Sequence, residues 1–402
     1  MDAERLGRAF RLLVDAEPVI GCRYVPRWIR PAWRRLPDEA LDAHRFPRVA
    51  EGDEEILAAE QAAFLGAPMD ALRGPQVDAL LLRGVGGDRL LVQTNHQIAD
   101  AGGVKEILYR LASLYRRLAA EPGHRPEPNL GSRSLRQLYG RFPLARLARI
   151  YGSYLRDFAR TIFPFRTFNL ERAGDEKGGL VHVIRRVEKA DVDRLRAYAA
   201  ARDATLNDLL VAAYLRALIR SVPWNGADTL RFMGTVDLRR YLPGERGESP
   251  CNLSSFYFLN LGTDPGRDLD ETLDRVKGRI DDLKRADLGL GFFLGSYAAS
   301  LGQPSGFMVW WSRRLFGWLV RGGNMAPAMT NMGEVDPALL DFGGPEVAGA
   351  ELIVPPTHAG SFIPGLSYFR GTLTFSAGFY ESSIPRARVE RLFEDMLAEA
   401  GG

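Results

Sequence analysis

The spacing of apolar residues near the start of the chain predicts a helix followed by strands. The apolar positions that recur at the 3.6-residue period of an amphipathic helix are Leu6, Ala9, Phe10 and Leu13. The run "AEPVIGCRYV" then turns through Pro18 into a β-rich segment. A helix that leads into a strand is therefore the expected opening of the fold.

A hairpin and a second helix are predicted further along. The stretch "DALLLRGVGGDRLLVQTNH", from Asp78, contains two apolar strand-like runs separated by a Gly-Gly-Asp turn, which is typical of a β-hairpin. After Gly103 a one-sided apolar stripe follows a helical period at Val104, Ile107, Leu108, Leu111, Leu114, Tyr115 and Leu118. The opposite face carries mostly cations, at Lys105, Arg110, Arg116 and Arg117. The segment between hairpin and helix is thus a strand-to-helix corner, where chemistry is often placed.

The second half of the sequence also alternates between strands and helices. Strand-like patterns are "LVHVIRRVE", "LRFMGTVDLRRYLP", "NLSSFYFLNLG" and "GTLTFSAGFY". Between them lie two helical patterns joined at a turn where Thr205 or Asn207 could cap the second helix, and the charged helix "DLDETLDRVKGRIDDLKR". Strands and helices interleave in both halves, so the fold class is α/β.

Two domains are expected, because a chain of 402 residues is too long for one hydrophobic core. An arginine-rich, aromatic segment, residues 133–168, is followed by the polar "ERAGDEKGG". We place the boundary there, near residues 165–180. The predicted subdomains are residues 1–170, which carry the strand-to-helix corner, and residues 178–402.

The bulk composition excludes several classes of function. A net charge of +3 gives no support for nucleic-acid binding. Two distant cysteines and an acidic N-terminal stretch favour a reducing, cytoplasmic setting. Arg313 and Arg314 interrupt the longest apolar run, so no segment is expected to span a bilayer.

Peripheral membrane contact is a separate question. Residues 133–168 and 306–323 combine cations with large apolar side chains, as interfacial helices do. The alternative is that both are ordinary helices packed on the core, with their arginines extending to water.

Other chemistries have little support in the sequence. It contains no P-loop and no Gly-x-Ser-x-Gly elbow. The remaining histidines, His44, His124, His182 and His358, have no ligand spacing, so we expect neither a metal nor a tightly bound cofactor. Cys251 is either a reactive thiol or, as we favour, a small buried hydrophobe.

The corner itself reads "TNHQIADAGG" and contains His96 and Asp100. One interpretation is that His96 is a hydrogen-bonded structural residue at a strand end. The other is a general base, because an imidazole can take a proton from a hydroxyl or an amine at neutral pH. Gly102 and Gly103 would open the corner and expose N–H groups at a helix start.

These residues resemble a known superfamily. "NHQIADAGG" resembles the His-His-x-x-x-Asp-Gly signature of the condensation-domain and chloramphenicol-acetyltransferase-like acyltransferases, which include alcohol acyltransferases, wax-ester synthases and plant BAHD enzymes. Further stretches resemble the family in the same order, namely "ATLNDLLVAAYLRAL", "GTVDLRRYLP", "NLSSFYFLNLG", "TNMGEVD" and "LTFSAGFYESSIPRARVERLFEDML". The resemblance implies two chloramphenicol-acetyltransferase-like α/β sandwich subdomains with an active-site tunnel between them.

The resemblance also implies an activity. His96 would deprotonate an alcohol or amine, which attacks the thioester of acyl-CoA or of a carrier protein's phosphopantetheine. Asp100 would be structural and paired with Arg239, for which the alternative is a solvated charge beside Arg240. The acceptor would be a small molecule or a lipid, and an acyl carrier protein in trans is an open alternative to acyl-CoA. Candidate oxyanion or substrate-binding residues are Gly102, Gly103, Ser254, Ser255, Thr330 and Asn331.

The motif departs from the family at two positions. Asn95 stands where many members have the first histidine, and Ala101 stands where glycine follows the aspartate. Ala101 adds a Cβ at a corner that could need unusual dihedral angles. The alternative function is therefore a catalytically inactive acyl- or carrier-protein-binding module, and a third is an assembly factor. The sequence leaves chain length, alcohol or amine acceptor and oligomeric state open.

Overall fold

A computed structural model describes residues 1–162, 170, 179–222, 224, 226, 228–300, 304–321, 325–344, 346–356 and 362–401. The strands of the first half are β1 (Cys22–Val25), β2 (Ala32–Arg35), β3 (Arg48–Glu51), β4 (Val77–Gly84) and β5 (Gly87–Thr94). Those of the second half are β6 (Leu180–Val187), β7 (Arg231–Asp237), β8 (Ser254–Asn260), β9 (Ala328–Glu334), β10 (Gly365–Phe369) and β11 (Thr372–Tyr380).

The helices up to the predicted boundary are α1 (Ala3–Ala16), α2 (Asp38–Ala43), α3 (Glu54–Gly66), α4 (Ala101–Ala120), α5 (Arg136–Tyr139) and α6 (Leu144–Ile162). After it come α7 (Lys189–Ala200), α8 (Leu206–Ser221), α9 (Leu269–Arg285), α10 (Leu290–Ser300), α11 (Ser305–Arg321) and α12 (Arg386–Gly401). Strands and helices interleave in both halves, so the α/β class predicted from the sequence is confirmed.

The first half is a three-layer unit around a small sheet with the strand order β3-β4-β5. One face of β4 packs against α1 and α4, and its apolar residues there are Val77, Ala79 and Leu81. The other face packs against α3 through Leu80 and Leu82. β4 and β5 form the predicted hairpin, but Val85 and Gly86 make its turn. Gly87 and Asp88, predicted to lie in the turn, already pair with β4.

The second half is built on a six-stranded sheet with the strand order β6-β11-β10-β9-β7-β8. Its core contains α8, which is buried along most of its length, and the large side chains Tyr214, Phe232, Phe375 and Phe393. Thr205 caps α8 in a capping box with Asp208, so the first of the two predicted caps is the one used.

Helices α5 and α6 precede the predicted boundary but pack with the second half. Leu138 and Ile150 belong to the core of the second half. The ring of Tyr154 lies against Gly291 and Gly295 of α10, where a Cβ on Gly295 would come within 2.1 Å of it. The predicted boundary near residues 165–180 lies outside the described residues, apart from residues 170, 179 and 180.

The two halves are joined along α4. Lys105, predicted to lie on the polar face of this helix, instead donates to the backbone carbonyl oxygens of Met332 and Glu334, each at 3.1 Å. The Tyr109 hydroxyl accepts a hydrogen bond from the Asp336 amide at 2.7 Å. Val335, Leu340 and Leu352 also pack on the apolar side of α4. The strand-to-helix corner at the start of α4 therefore lies where the halves meet.

Candidate active site

The predicted corner lies between Thr94, the last residue of β5, and Ala101, the first residue of α4. Asp100 caps the helix, because its Oδ1 accepts the Gly103 N–H at 2.9 Å. The Asn95 side chain accepts the Gln97 N–H at 2.9 Å, which closes an Asx turn. Asn95 therefore shapes the turn at the position where many acyltransferases of the resembled family have their first histidine.

His96 is exposed to solvent at this corner. Its imidazole forms a hydrogen bond with none of the described residues. The interpretation of His96 as a hydrogen-bonded structural residue therefore has no support in the structure. Both ring nitrogens are available to a ligand.

The backbone around His96 is held by residues that sequence reasoning missed. Asn252, on the loop before β8, donates through Nδ2 to the carbonyl oxygens of His96 at 2.8 Å and Gln97 at 3.3 Å. The Arg133 guanidinium donates to the Ile98 carbonyl at 2.5 Å and to a carbonyl of the same loop, at Pro250, at 2.9 Å. Three successive carbonyls of the corner are thus anchored from outside the first-half sheet. Asn252 begins the family-like stretch "NLSSFYFLNLG" and Arg133 begins the arginine-rich segment, but neither pattern indicated a contact with the corner.

Asp100 lies against Arg239, the partner that the resemblance implies for it. The Arg239 Nη1 is 3.0 Å from Asp100 Oδ1, and the residues are 4 % and 2 % exposed. Asp100 Oδ2 also accepts the Leu253 N–H at 2.6 Å. Arg239 in turn donates to the Cys251 carbonyl at 2.9 Å and to Glu106 at 3.2 Å. The pair therefore connects the helix start to the same loop that holds His96.

Burial and charge pairing act in opposite directions on the carboxyl groups of this cluster. Burial alone would raise the pKa of Asp100, but Arg239 and the amides of Gly103 and Leu253 together hold it below its usual value. Burial outweighs the pairing of Glu106 with Arg239, so the pKa of Glu106 is raised. Asp100 is thus a fixed anion turned away from solvent. This geometry suits a positioning role better than proton transfer to a substrate.

The two glycines allow this close packing. A Cβ at Gly102 would lie 2.5 Å from Arg239 Nη1, and one at Gly103 would lie 3.0 Å from the Cys251 carbonyl oxygen. The Gly103 N–H is donated to Asp100. This amide already has a buried partner, and a role of Gly102 or Gly103 in oxyanion or substrate binding stays a prediction. At Gly102 a side chain would occupy the space that the Arg239 guanidinium fills.

Ala101 does not strain the corner. The non-glycine residues of the described chain with a positive φ are Asp203, Glu245, Asp287 and Arg370, so Ala101 has an ordinary backbone. Its side chain packs on the apolar cluster of Val335 and Leu340. The reason for suspecting an inactive site at this position is therefore removed.

The other candidate donors divide between the two faces of the second-half sheet. The Ser255 hydroxyl donates to the Gly289 carbonyl at 2.7 Å. The Asn331 amide donates to Asn207 Oδ1 at 3.1 Å, and its own carbonyl oxygen accepts the Gly333 N–H at 3.0 Å. Both side chains are thus engaged in the structure. The role of Asn331 in oxyanion or substrate binding stays a prediction.

Ser254 and Thr330 lie on the opposite face. Thr330 shares a hydrogen bond of 2.8 Å with Thr235. The half-buried Ser254 hydroxyl forms a hydrogen bond with none of the described residues. Ser254 stands two residues after Asn252, whose side chain holds the His96 carbonyl, and it remains a candidate donor.

Cys251 has the environment of an inert thiol. It is 2 % exposed, and burial raises its pKa to about 11. This confirms the interpretation of Cys251 as a small buried hydrophobe. Among the described residues, no group of three His, Cys, Asp or Glu side chains could hold a metal ion. His358 lies outside the described residues.

Comparison with solved structures identifies the fold of the chain. No protein-family model matches the sequence, and no curated protein matches it significantly. The first condensation domain of the CDA synthetase is similar in structure, with 16 % identity, 100 % of this chain and 87 % of that chain covered, and a TM-score of 0.69. The trichothecene 15-O-acetyltransferase TRI3 of Fusarium sporotrichioides is also similar, with 13 % identity, 98 % of this chain and 86 % of that chain covered, and a TM-score of 0.77.

Polyketide synthase associated protein 5 of Mycobacterium tuberculosis is also similar, with 15 % identity, 99 % of this chain and 91 % of that chain covered, and a TM-score of 0.64. At these identities the likeness concerns the fold. The chain has the two-subdomain α/β fold shared by condensation domains and the acetyltransferase, which confirms the fold expected from the resemblance.

Proposed function

We propose that this protein is an acyltransferase that moves an acyl group from a thioester to an alcohol or an amine, with His96 as the general base. The observation that carries the proposal is the exposed His96 imidazole on a corner whose backbone is anchored by both halves of the chain. A general base needs such a position, because its free nitrogen must reach the proton of a substrate.

The proposed reaction uses one proton acceptor. A His96 ring nitrogen takes the proton of the acceptor hydroxyl or amine as its oxygen or nitrogen attacks the thioester carbonyl. The tetrahedral intermediate collapses, the carbon–sulfur bond breaks, and the leaving thiolate takes the proton back from the imidazolium. The products are an ester or amide and a free thiol, and the imidazole is neutral again.

The surrounding residues would position the base and stabilise charge. Asp100, Arg239 and Asn252 hold the corner and are positioning residues. The Ser254 hydroxyl is the proposed donor to the developing oxyanion. One such donor typically contributes about 3 kcal/mol to lowering the barrier.

The proposed substrates follow from the resemblance and the fold. The donor is acyl-CoA or the phosphopantetheine thioester of a carrier protein supplied in trans, and the acceptor is a small molecule or a lipid. Donor and acceptor would meet in a tunnel between the two subdomains, where exclusion of water suppresses hydrolysis of the thioester. We also propose peripheral contact with a membrane, and no described helix is long and apolar enough to cross one.

Thiol release tests the proposal. Acyl-CoAs from acetyl to palmitoyl are offered with and without mixed alcohols and amines to the wild type, to His96→Ala and to Gln97→Ala. Gln97 is the matched control, because it is the exposed neighbour of His96 on the same turn. We expect acceptor-dependent release by the wild type and by Gln97→Ala that is lost in His96→Ala.

If the folded wild type releases no thiol from any acyl-CoA, a second panel offers acyl groups loaded on a phosphopantetheinylated carrier protein. Transfer in that panel alone would assign the carrier-protein donor. Binding of either donor without transfer would overturn the proposal and favour an inactive acyl-binding module.

A further inference from the structure

Two separate segments form one exposed aromatic and cationic surface. The loop between β1 and β2, residues 26–31, presents Trp28 and Ile29, which are 63 % and 69 % exposed. Helix α11 presents Phe307, Val309, Trp310, Trp311 and Trp318, all of them exposed. Four of the six tryptophans in the chain therefore lie on these two segments, which we call the tryptophan surface.

Direct contacts join the loop to the helix. The Gly306 N–H donates to the Trp28 carbonyl at 2.9 Å. The Trp28 ring lies so close to Gly306 that a Cβ there would come within 2.1 Å of it. Arg30 and Gly306 are 276 residues apart in the sequence, so only the tertiary structure makes the two segments one surface.

Positive charge accompanies the aromatic side chains. Arg30, Arg313 and Arg314 form ion pairs with none of the described carboxylates. The Arg314 guanidinium lies over the Trp310 ring, 4.6 Å from its centroid. Residues 21–36 and 304–321 contain no Asp or Glu. The tryptophan surface is thus apolar and cationic, without compensating acids of its own.

A groove runs along one side of α11. It has a volume of about 420 Å³ and is lined by Gly306, Val309, Trp310, Arg313, Arg314 and Gly317. The lining thus combines the cationic Arg313 and Arg314 with the apolar Val309 and Trp310. This combination fits an amphiphile with an anionic head and an apolar chain.

We propose that the tryptophan surface docks the protein on an anionic membrane surface. Tryptophan side chains prefer the boundary between water and lipid, where their apolar body and polar N–H are both satisfied. Cations beside them are attracted to anionic headgroups. A second copy of this chain fits less well, because its surface would bring arginine against arginine.

The inference deepens the peripheral contact proposed above by giving it a location. Of the two basic aromatic segments in the sequence, residues 133–168 contribute Leu138 and Ile150 to the core of the second half. The described aromatic residues of α11 are instead exposed. The membrane-facing part is therefore α11, which the sequence indicated, together with the loop at Trp28, which it did not.

Co-sedimentation with vesicles tests the proposal. The full chain is mixed at low salt with vesicles of phosphatidylcholine alone and of phosphatidylcholine with phosphatidylglycerol. The variants are Arg313→Gln/Arg314→Gln and Trp310→Ser/Trp311→Ser. The control is Val85→Ser/Arg285→Gln, which changes exposed residues of other elements. Circular dichroism establishes that each variant is folded.

We expect binding to the anionic vesicles that salt weakens, and roughly 30-fold weaker binding by the arginine variant. The tryptophan variant should also bind less, and the control should equal the wild type. Acyl transfer from a soluble acyl-CoA should stay unchanged in all variants, which separates this inference from the proposed chemistry.

Absence of wild-type binding to anionic vesicles, or an equal loss in the control, would overturn the proposal. An acidic carrier protein that binds the wild type but not the arginine variant, with vesicles left unbound, would also overturn it and would assign the surface to a protein partner.

Discussion

Arg239 of the second half lies 3.0 Å from Asp100 of the first half, and solvent reaches almost none of either side chain. Asp100 begins the helix that follows the candidate base, and Arg239 also holds the Cys251 carbonyl. One buried ion pair therefore ties together the helix start, the loop at residues 251–253 and the two halves of the chain. Loss of this ion pair should lower the free energy of unfolding, and a loss of activity should follow from the lower stability.

Asp100→Asn should lower the free energy of unfolding by about 3 kcal/mol, because Arg239 is then left buried without its closest anion. Urea denaturation measures this. Asp237→Asn is the control, since Asp237 also pairs with Arg239 but its side chain is 46 % exposed, and its loss should cost at most about 1 kcal/mol. A fully stable but inactive Asp100→Asn protein would contradict the positioning role.

His96→Ala should reduce turnover by about 10²- to 10⁴-fold, the usual contribution of a general base. The same change should alter the unfolding free energy by less than about 0.5 kcal/mol, because the side chain is exposed. Turnover and urea midpoints are measured on the same preparations. A turnover near that of the wild type would refute the assignment of His96.

Gly102→Ala and Ala101→Gly should have unequal effects although they exchange the same two residue types. The new Cβ at Gly102 would displace Arg239, so we expect a loss of at least about 2 kcal/mol and of activity with it. Ala101→Gly relieves no strain and should cost about 0.5–1 kcal/mol, without raising turnover.

Ala119→Gly, at an exposed position of the same helix, gives the cost of glycine alone. Thermal unfolding of the three variants ranks them. A more active Ala101→Gly enzyme would show that the alanine does impair the site.

Asn252→Ala should leave the His96 carbonyl without its partner from the second half. We expect a loss of about 1 kcal/mol in stability, the usual contribution of such a hydrogen bond. Turnover should fall more than substrate affinity does, because the variant loosens the base and leaves the substrate contacts in place. Steady-state kinetics separate kcat from KM, and an unchanged kcat would exclude Asn252 as a positioning residue.

Stability should depend on pH in two opposite ways. The pKa of Asp100 is lowered in the folded protein, so the unfolded chain takes up the proton first and stability falls as pH drops below the usual aspartate value of 3.8. The pKa of Glu106 is raised, so its protonation in the folded state adds stability as pH falls towards its usual 4.5. As the pH falls towards 4.5, the urea midpoint should therefore stay constant or rise, and below pH 3.8 it should fall.

The acid loss should be smaller in Asp100→Asn than in the wild type. An equal loss in both proteins would assign the acid sensitivity to other carboxylates.

The sequence by itself determined the elements whose patterns are local. The helices α1 and α4, the hairpin of β4 and β5 and the Thr205 cap follow from residues within a few positions of one another. The resemblance in the corner motif pointed to His96, Asp100 and Arg239 as a set. Periodicity had no part in that choice, since Arg239 is 139 residues from Asp100.

Only the tertiary structure decided which polar groups have partners. Asn252 reaches the His96 carbonyl from 156 residues away, and Lys105 turns from its expected solvent face to carbonyls 227 and 229 residues away. The same packing leaves the tryptophan surface exposed. Hydrogen bonds and burial depend on what lies nearby in space, and a local pattern contains no information about partners that distant parts of the chain supply.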